Sequence, residues 1–215
     1  MRGATLALAL LLATAPAAAQ STPPATREQA LENVAKGDVE ARRQAVAALG
    51  DLGTMPDVPV LLQALRDEDE VVRALAETSL WQVWSRSGDP QIDALFRLGL
   101  EQMREGAAPA AIQTFTSIIE KKPEFAEGWN KRATIYYLVG EYDKSLRDCD
   151  EVVKRNPQHW GVLAGYGQIY LALDKHDLAL DYFQRALKVN PNLRSVEAAV
   201  AELKRLVIEK RKGTI

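Results

Sequence analysis

Apolar residues recur every three or four positions along most of the chain, which is the spacing of amphipathic helices. Between residues 92 and 193 this pattern falls into three stretches of equal length, and each predicts two helices joined by a short turn. Prolines follow the second helix of each stretch at a constant interval of 34 residues, at Pro123, Pro157 and Pro191. Proline lacks an amide hydrogen and restricts the residue before it, so each ends a helix and starts a new unit. The pattern therefore predicts three helix-turn-helix repeats.

Small and large residues alternate at fixed positions of these units. Position 8 of the units holds Gly99, Ala133 and Gly167, and position 24 holds Phe115, Cys149 and Phe183. A glycine inside a helix costs about 1 kcal/mol relative to alanine. Its recurrence indicates that the second helix approaches the first closely, with the aromatic ring filling the space beside the small residue. The turns between the helices hold Gly106 and Gly140, where a positive φ is useful, and Asp174 in the third unit.

The three units resemble tetratricopeptide repeats. The second matches the family pattern at Trp129, Ala133, Tyr136, Ser145 and Pro157, and the third at Gly167, Tyr170, Ala179, Phe183, Ala186 and Pro191. The first departs from it at Gln102, where the family has an aromatic residue. We place the repeats at residues 92–125, 126–159 and 160–193. A helix over residues 194–212 then closes the stack, because a repeat array needs a terminal cap with one polar face.

An earlier region, residues 27–86, repeats with a different offset. Asp38 and Arg42 superpose on Asp69 and Arg73 after a shift of 31 residues. Each aspartate lies where a helix N-cap is expected. This pair of units resembles short HEAT repeats. The segment at residues 85–90 then connects the two arrays, and Trp81 and Trp84 are expected to close the first array against the next.

The first 26 residues have the pattern of an exported protein. Residues 1–19 combine an early cation, an apolar stretch and small residues before Gln20, as in a cleavable signal peptide. A membrane anchor is the alternative, but the apolar run is shorter than the roughly 20 residues of a spanning helix. We predict a bacterial periplasmic protein with a disordered leader over residues 20–26. No later segment approaches membrane length, so the mature product is expected to be soluble.

Charge and motifs narrow the function. The 27 basic and 29 acidic residues nearly balance, which does not favour a nucleic-acid partner. No phosphate-binding loop, zinc-protease or nucleophile-elbow motif is present in the sequence. His159 and His176 are predicted to be solvated, Trp160 partly exposed, and Cys149 a buried packing residue in an aromatic column. We therefore predict no enzyme activity, no cofactor and no metal.

The tetratricopeptide resemblance implies a peptide-binding groove lined by the first helix of each unit. Positions 2, 5, 9 and 12 of the family commonly face the ligand. These positions, together with the adjoining cations Arg104 and Lys131, give the predicted partner-binding residues of this chain. They are Phe96, Arg104, Glu127, Asn130, Lys131, Thr134, Tyr137, Gln168 and Leu171. The alternative is that these residues are solvated, or are covered by the chain's own termini. The family's clamp for acidic chaperone tails is absent, since its lysine and asparagine positions hold Phe96 and Leu100.

The sequence thus predicts an all-α, right-handed α-solenoid: a HEAT-like pair, three tetratricopeptide repeats and a capping helix. The favoured function is a non-catalytic scaffold of the bacterial cell envelope that binds a peptide or helix of a partner protein. An accessory subunit that acts through self-association, or through membrane-surface contact by the basic end of the last helix, is the alternative. An enzyme of unfamiliar type is the third. The sequence identifies neither the partner nor the oligomeric state.

Overall fold

The structure is a computed structural model that describes residues 23–211 and residue 213. In this part of the chain, eleven α-helices are joined by short turns. The helices of the first array are α1 (Arg27–Lys36), α2 (Val39–Leu52), α3 (Val58–Ala64) and α4 (Glu70–Trp84), with a 3-10 helix at Met55–Asp57. The helices of the second array are α5 (Pro90–Arg104), α6 (Ala108–Lys121), α7 (Ala126–Leu138), α8 (Tyr142–Arg155), α9 (Trp160–Ala172), α10 (His176–Val189) and α11 (Arg194–Arg211).

The predicted signal peptide, residues 1–19, lies outside the described residues. The predicted leader, residues 20–26, is described only from residue 23. Its last residue, Thr26, is the N-cap of α1 and forms a capping box with Gln29, each side chain bonding the other's backbone. The prediction of disorder is therefore wrong for Thr26, because its hydroxyl satisfies an amide that the first turn of a helix leaves unpaired.

The first array repeats with the predicted offset. Helices α1 and α3 begin at residues 27 and 58, and α2 and α4 begin at residues 39 and 70, so both pairs are separated by 31 residues. Asp38 and Asp69 accept hydrogen bonds of 2.9 Å from Ala41 N and Val72 N, which confirms the predicted N-caps. Helix α4 packs on both α2 and α3.

Arginines tie the turns of the first array together. Arg42 forms a two-pronged ion pair with Asp67, at 2.9 and 3.0 Å, and Arg43 does the same with Asp69, at 2.9 and 2.7 Å. Arg86, beyond α4, donates to the carbonyls of Gly50 and Gly53 at the end of α2. Planar guanidinium groups suit such two-point contacts. The Arg42 and Arg43 pairs fix the turn between α3 and α4 against α2, and Arg86 fixes the segment after α4 against the end of α2.

In the second array each helix packs on its neighbour in sequence, from α5 through α11. The turns inside the repeats use a left-handed residue, with φ of 74° at Gly106, 78° at Gly140 and 57° at Asp174. These are the positions that the sequence predicts for such a turn. The apolar stripe of α11, which includes Val196, Val200, Leu203 and Val207, is buried. No helix in the described part of the chain is both long and apolar enough to span a membrane.

The predicted contact between glycine and phenylalanine is confirmed in the first and third repeats. A Cβ placed on Gly99 would lie 2.6 Å from the ring of Phe115, and one on Gly167 would lie 2.5 Å from the ring of Phe183. Both rings are fully buried. In the second repeat the same place is filled by Ala133 and the smaller Cys149, in one apolar cluster. The glycine therefore sets how closely the two helices of a repeat approach.

We expect Gly167→Ala to lower the free energy of unfolding by about 1–3 kcal/mol, because the added methyl group overfills a rigid contact. The matched control is Gly165→Ala in the same helix, where a Cβ would meet nothing within 4 Å. That change should be neutral or stabilise by up to about 1 kcal/mol through helix propensity. Urea unfolding followed by circular dichroism measures both. Equal effects of the two substitutions would contradict the packing described for position 8.

Candidate functional site

The first helices of the three repeats, α5, α7 and α9, are neighbours and together form one face, which we call the inner face. Between α7 and α9 this face contains a hollow of about 120 Å³. Thr134 and Tyr137 line it from α7, and Gly165 and Gln168 from α9. Because Gly165 carries no side chain and nothing lies within 4 Å of its Cβ position, the hollow is open at this point.

Three of the predicted partner-binding residues lie around the hollow with accessible side chains. Thr134 and Gln168 are exposed, and Tyr137 is half-buried. Thr134 donates to the carbonyl of Asn130 at 2.9 Å. The floor includes Ser145, whose hydroxyl donates to the carbonyl of Ala133 at 2.7 Å. The rim thus offers an amide, a hydroxyl and an aromatic ring, which suits hydrogen bonding to a peptide backbone together with apolar contact.

Phe96, Arg104 and Leu171 lie elsewhere. Phe96 is only 4% exposed, and its ring centroid lies 5.9 Å from that of Phe115 and 5.3 Å from that of Phe125. The structure therefore contradicts the assignment of Phe96 to an open groove, because this ring fills the core of the first repeat. Arg104 is exposed and paired with Glu101, and Leu171 is half-buried against the largest apolar cluster.

Glu127 and Asn130, predicted at the groove, are also buried, at 0% and 8% exposure. Glu127 accepts hydrogen bonds from His159 Nε2 at 2.5 Å and from Asn130 Nδ2 at 3.0 Å, and its other contact is Lys131 Nζ at 3.4 Å. His159 Nδ1 accepts from Val162 N at 3.1 Å, which caps α9. Since Nδ1 is an acceptor, the ring proton lies on Nε2 and points at the carboxylate. This buried polar network joins the start of α7 to the start of α9.

The network sets the charge state of Glu127. Burial alone would raise the pKa of this carboxyl group. The facing His159 ring, the Lys131 ammonium group and the Asn130 amide outweigh burial and lower the pKa to about 2. Glu127 is therefore ionised at neutral pH, and each of its oxygen atoms has a hydrogen-bonding partner.

Tryptophans of the first array cover this part of the inner face. The Trp84 ring stacks on His159 with centroids 4.6 Å apart, and the Trp81 ring meets Trp160 edge to face at 5.7 Å. Lys131 Nζ lies 5.3 Å from the centroid of Trp81. The tryptophans that were predicted to close the first array against the second thus contact the start of the third repeat. The inner face thus has a covered part around Glu127 and an open hollow around Gly165, and Asn130 and Gly161 lie where the two parts meet.

His159 and Trp160 correct two sequence predictions. They are 1% and 2% exposed, whereas His159 was predicted to be solvated and Trp160 partly exposed. The alignment of the repeats could have predicted that both residues are buried. Position 34, which His159 occupies, holds Phe125 in the first unit, and position 1 holds Ile92, and both of these are buried. A histidine and a tryptophan in apolar columns indicate burial.

Cys149 is buried in the core of the second repeat. Burial raises the pKa of the Cys149 thiol to about 12, so this thiol stays protonated, as expected of a packing residue. The Tyr166 hydroxyl donates to Asp150, and burial together with this bond raises the pKa of Tyr166. Within the described residues, no group of three or more His, Cys, Asp or Glu side chains is arranged to hold a metal ion.

Comparison with known proteins agrees with this geometry. The tetratricopeptide repeat family model matches residues 126–159 and 167–193. A TPR repeat-containing protein of Rhizobium etli is 32% identical over 139 residues, which cover 65% of this chain and 67% of that protein. The chain therefore belongs to the tetratricopeptide repeat family, and the repeats form a protein–protein interaction domain.

More distant matches share only part of their length. Hsp70-Hsp90 organizing protein 1 of Glycine max is 25% identical over 105 residues, and the match spans 48% of this chain and 18% of that protein. The first TPR domain of Spaghetti (RPAP3), solved with the HSP90 peptide SRMEEVD, superposes with a TM-score of 0.53 at 21% identity. That superposition covers 56% of this chain and 96% of the other, and it shows a shared fold.

We expect acid to remove the stabilising contribution of Glu127. Its pKa is about 2 in the folded state against an ordinary 4.5, so the contribution is complete above about pH 4.5 and lost as the pH falls to about 2. Urea unfolding between pH 2 and 6 measures the difference in unfolding free energy between wild type and Glu127→Gln. This difference should narrow by about 3 kcal/mol as the pH falls. The control is Glu105→Gln, which removes an exposed carboxyl group outside this network. A difference that does not narrow for Glu127→Gln would contradict this network.

Proposed function

We propose that the protein is a non-catalytic scaffold that binds an extended segment of a partner protein in the open hollow of the inner face. The observation that carries this proposal is the hollow itself, in which Thr134, Tyr137 and Gln168 surround the bare backbone of Gly165. Peptide-binding relatives of the same fold support it, since the RPAP3 domain was solved with a bound peptide. A glycine at the centre lets a peptide backbone approach α9 closely.

The partner segment is expected to be uncharged around the hollow. The residues that surround it are neutral, and Lys131, which follows Asn130 of the lining, is paired with Glu127 at 3.4 Å and lies over the ring of Trp81. At the positions where chaperone-binding repeats carry cations, this chain has Phe96, which is buried, and Ala164. An acidic tail would therefore lose its hydration without gaining a salt bridge.

We further propose that this binding takes place in the bacterial periplasm. The proposal rests on the signal-peptide pattern of residues 1–19. For helices α1–α4 we keep the HEAT-like interpretation, which rests on the 31-residue offset between the two helix pairs. In this account the first array supports the repeats and the second array carries the binding surface.

The chaperone peptide SRMEEVD, which RPAP3 binds, tests the predicted ligand class. We expect isothermal titration to detect no binding to the full chain, with a dissociation constant weaker than about 1 mM. The RPAP3 domain serves as the positive control. Micromolar binding to this chain would contradict the proposed preference for uncharged segments.

A displayed library of random 12-residue peptides tests the hollow. We expect selection on the full chain to yield peptides whose binding falls at least tenfold in Gly165→Leu, because a leucine side chain fills the hollow. Gln184→Leu on the exposed side of α10 is the matched control and should bind like wild type. Photo-crosslinkers at Thr134 and at position 184 repeat the comparison in cells. Peptides that bind Gly165→Leu as tightly as wild type would contradict the assignment of the hollow.

A further inference from the structure

Helix α4 and the turn before it lie along the turns that connect the repeats. At one end, Trp81 and Trp84 contact His159 and Trp160, at the turn between α8 and α9. At the other end, Arg66 donates to the carbonyl of Val189 at 3.2 Å, near the end of α10. The described part of the chain thus places the first array across the edge of the third repeat.

Polar contacts continue between these two ends. Asn190 Nδ2 donates to Glu77 at 3.2 Å, and Asn192 Nδ2 donates to the carbonyl of Leu65 at 2.8 Å. Arg194 and Glu70 form a pair at 3.4 Å with both side chains largely exposed. Together with the tryptophans, these bonds run from the start of α9 to the start of α11. One side of the first array therefore contacts the start of α9, the end of α10 and the start of α11.

The contact surface is specific to the indole rings. A Cβ placed on Gly161 would lie 2.6 Å from Cη2 of Trp81, so the absence of a side chain there makes room for this ring. Lys131 provides a cation over the same ring, at 5.3 Å. Cation–π and edge-to-face contacts of this kind favour aromatic rings over aliphatic side chains. The surface around Gly161 is thus shaped for an aromatic side chain of an approaching helix.

The same contact has features of a surface that can open. Trp81 is only half-buried, and Trp84 is buried although its indole N–H has no acceptor among the described residues. A buried donor without a partner lowers the stability of the docked state. Helix α4 also packs on α2 and α3, which gives the first array contacts of its own besides the apolar cluster that it shares with the third repeat and α11.

We propose that the first array is a lid docked in cis, whose helix α4 occupies an aromatic-binding surface on the inner face, and that a partner helix competes with it. The competing helix would carry two aromatic side chains three residues apart, as Trp81 and Trp84 are in α4. Helix-in-groove recognition uses anchors at this spacing. The regulatory part of this proposal rests on the proposed function, whereas the docking part does not.

A tethered occupant lowers the affinity for any competitor. The connection between α4 and α5 is only residues 85–89, so α4 stays at a high effective concentration beside its site. The apparent dissociation constant of a competitor equals its intrinsic value divided by the undocked fraction. Weakening the cis contact therefore strengthens binding in trans, which is measurable without knowing the natural partner.

The test uses a fluorescent synthetic peptide of residues 69–86, which contains all of α4, and the full chain carrying Trp81→Ala. The substitution removes the cis anchor and leaves the second array unchanged. We expect the peptide to bind the variant at least tenfold more tightly than wild type by fluorescence anisotropy. Arg66→Ala weakens the other end of the contact and should act in the same direction, so the test remains decisive if Trp81→Ala fails to fold.

Two double variants locate the binding. Adding Gly161→Leu to Trp81→Ala should abolish peptide binding, because the leucine occupies the position of the indole ring. Adding Gln184→Leu, on the exposed side of α10, should leave it intact, because that side chain lies away from Gly161. Equal binding by wild type, Trp81→Ala and Arg66→Ala would overturn the lid, as would binding that survives Gly161→Leu. Failure of the library selection, by contrast, would overturn the proposed function and the regulatory part that rests on it, but not the docking of α4.

Discussion

Close packing of an aromatic ring against a bare helix backbone is the contact on which the second array depends. Gly99 with Phe115 and Gly167 with Phe183 bring the two helices of a repeat together at a distance that any larger residue would prevent. The helix pairs then stack because each pair covers apolar surface that its neighbour would otherwise expose. The order of the helices places α5, α7 and α9 side by side, and the inner face follows from this arrangement.

Two glycines of α9, Gly161 and Gly165, distinguish the covered part of the inner face from the open part. Gly161 and Gly165 lie one helical turn apart on the same side of α9. The first is filled by Trp81 from the first array, and nothing lies within 4 Å of the Cβ position of the second. One helix therefore offers an occupied contact and an open one. The interaction domain of this family is here combined with a segment of the same chain that covers part of its surface.

Much of this architecture is predictable from the sequence, because helical periodicity and the 34-residue interval are local signals. They predict the helix pairs, the left-handed turns and the contact between glycine and phenylalanine. The site is less predictable. Periodicity shows that Glu127 lies on a helix, but it does not show which distant element covers it. The partners of Glu127 are within the second repeat, but Trp84 and Trp81 of α4 lie against His159 and Lys131, a contact between segments far apart in sequence. Phe96 was misassigned for the same reason, because Phe125 buries it from a neighbouring turn.

The most direct measurement of the division of the inner face is a nuclear Overhauser spectrum of the full, isotope-labelled chain in solution. The account predicts cross-peaks from the α-protons of Gly161 to the indole ring of Trp81, alongside those from Gly167 to the ring of Phe183. No cross-peak is expected from the α-protons of Gly165 to the indole ring of Trp81. A spectrum that contains the Gly167 contact but lacks the one at Gly161 would show that the repeats form while the first array lies elsewhere, and would contradict the account.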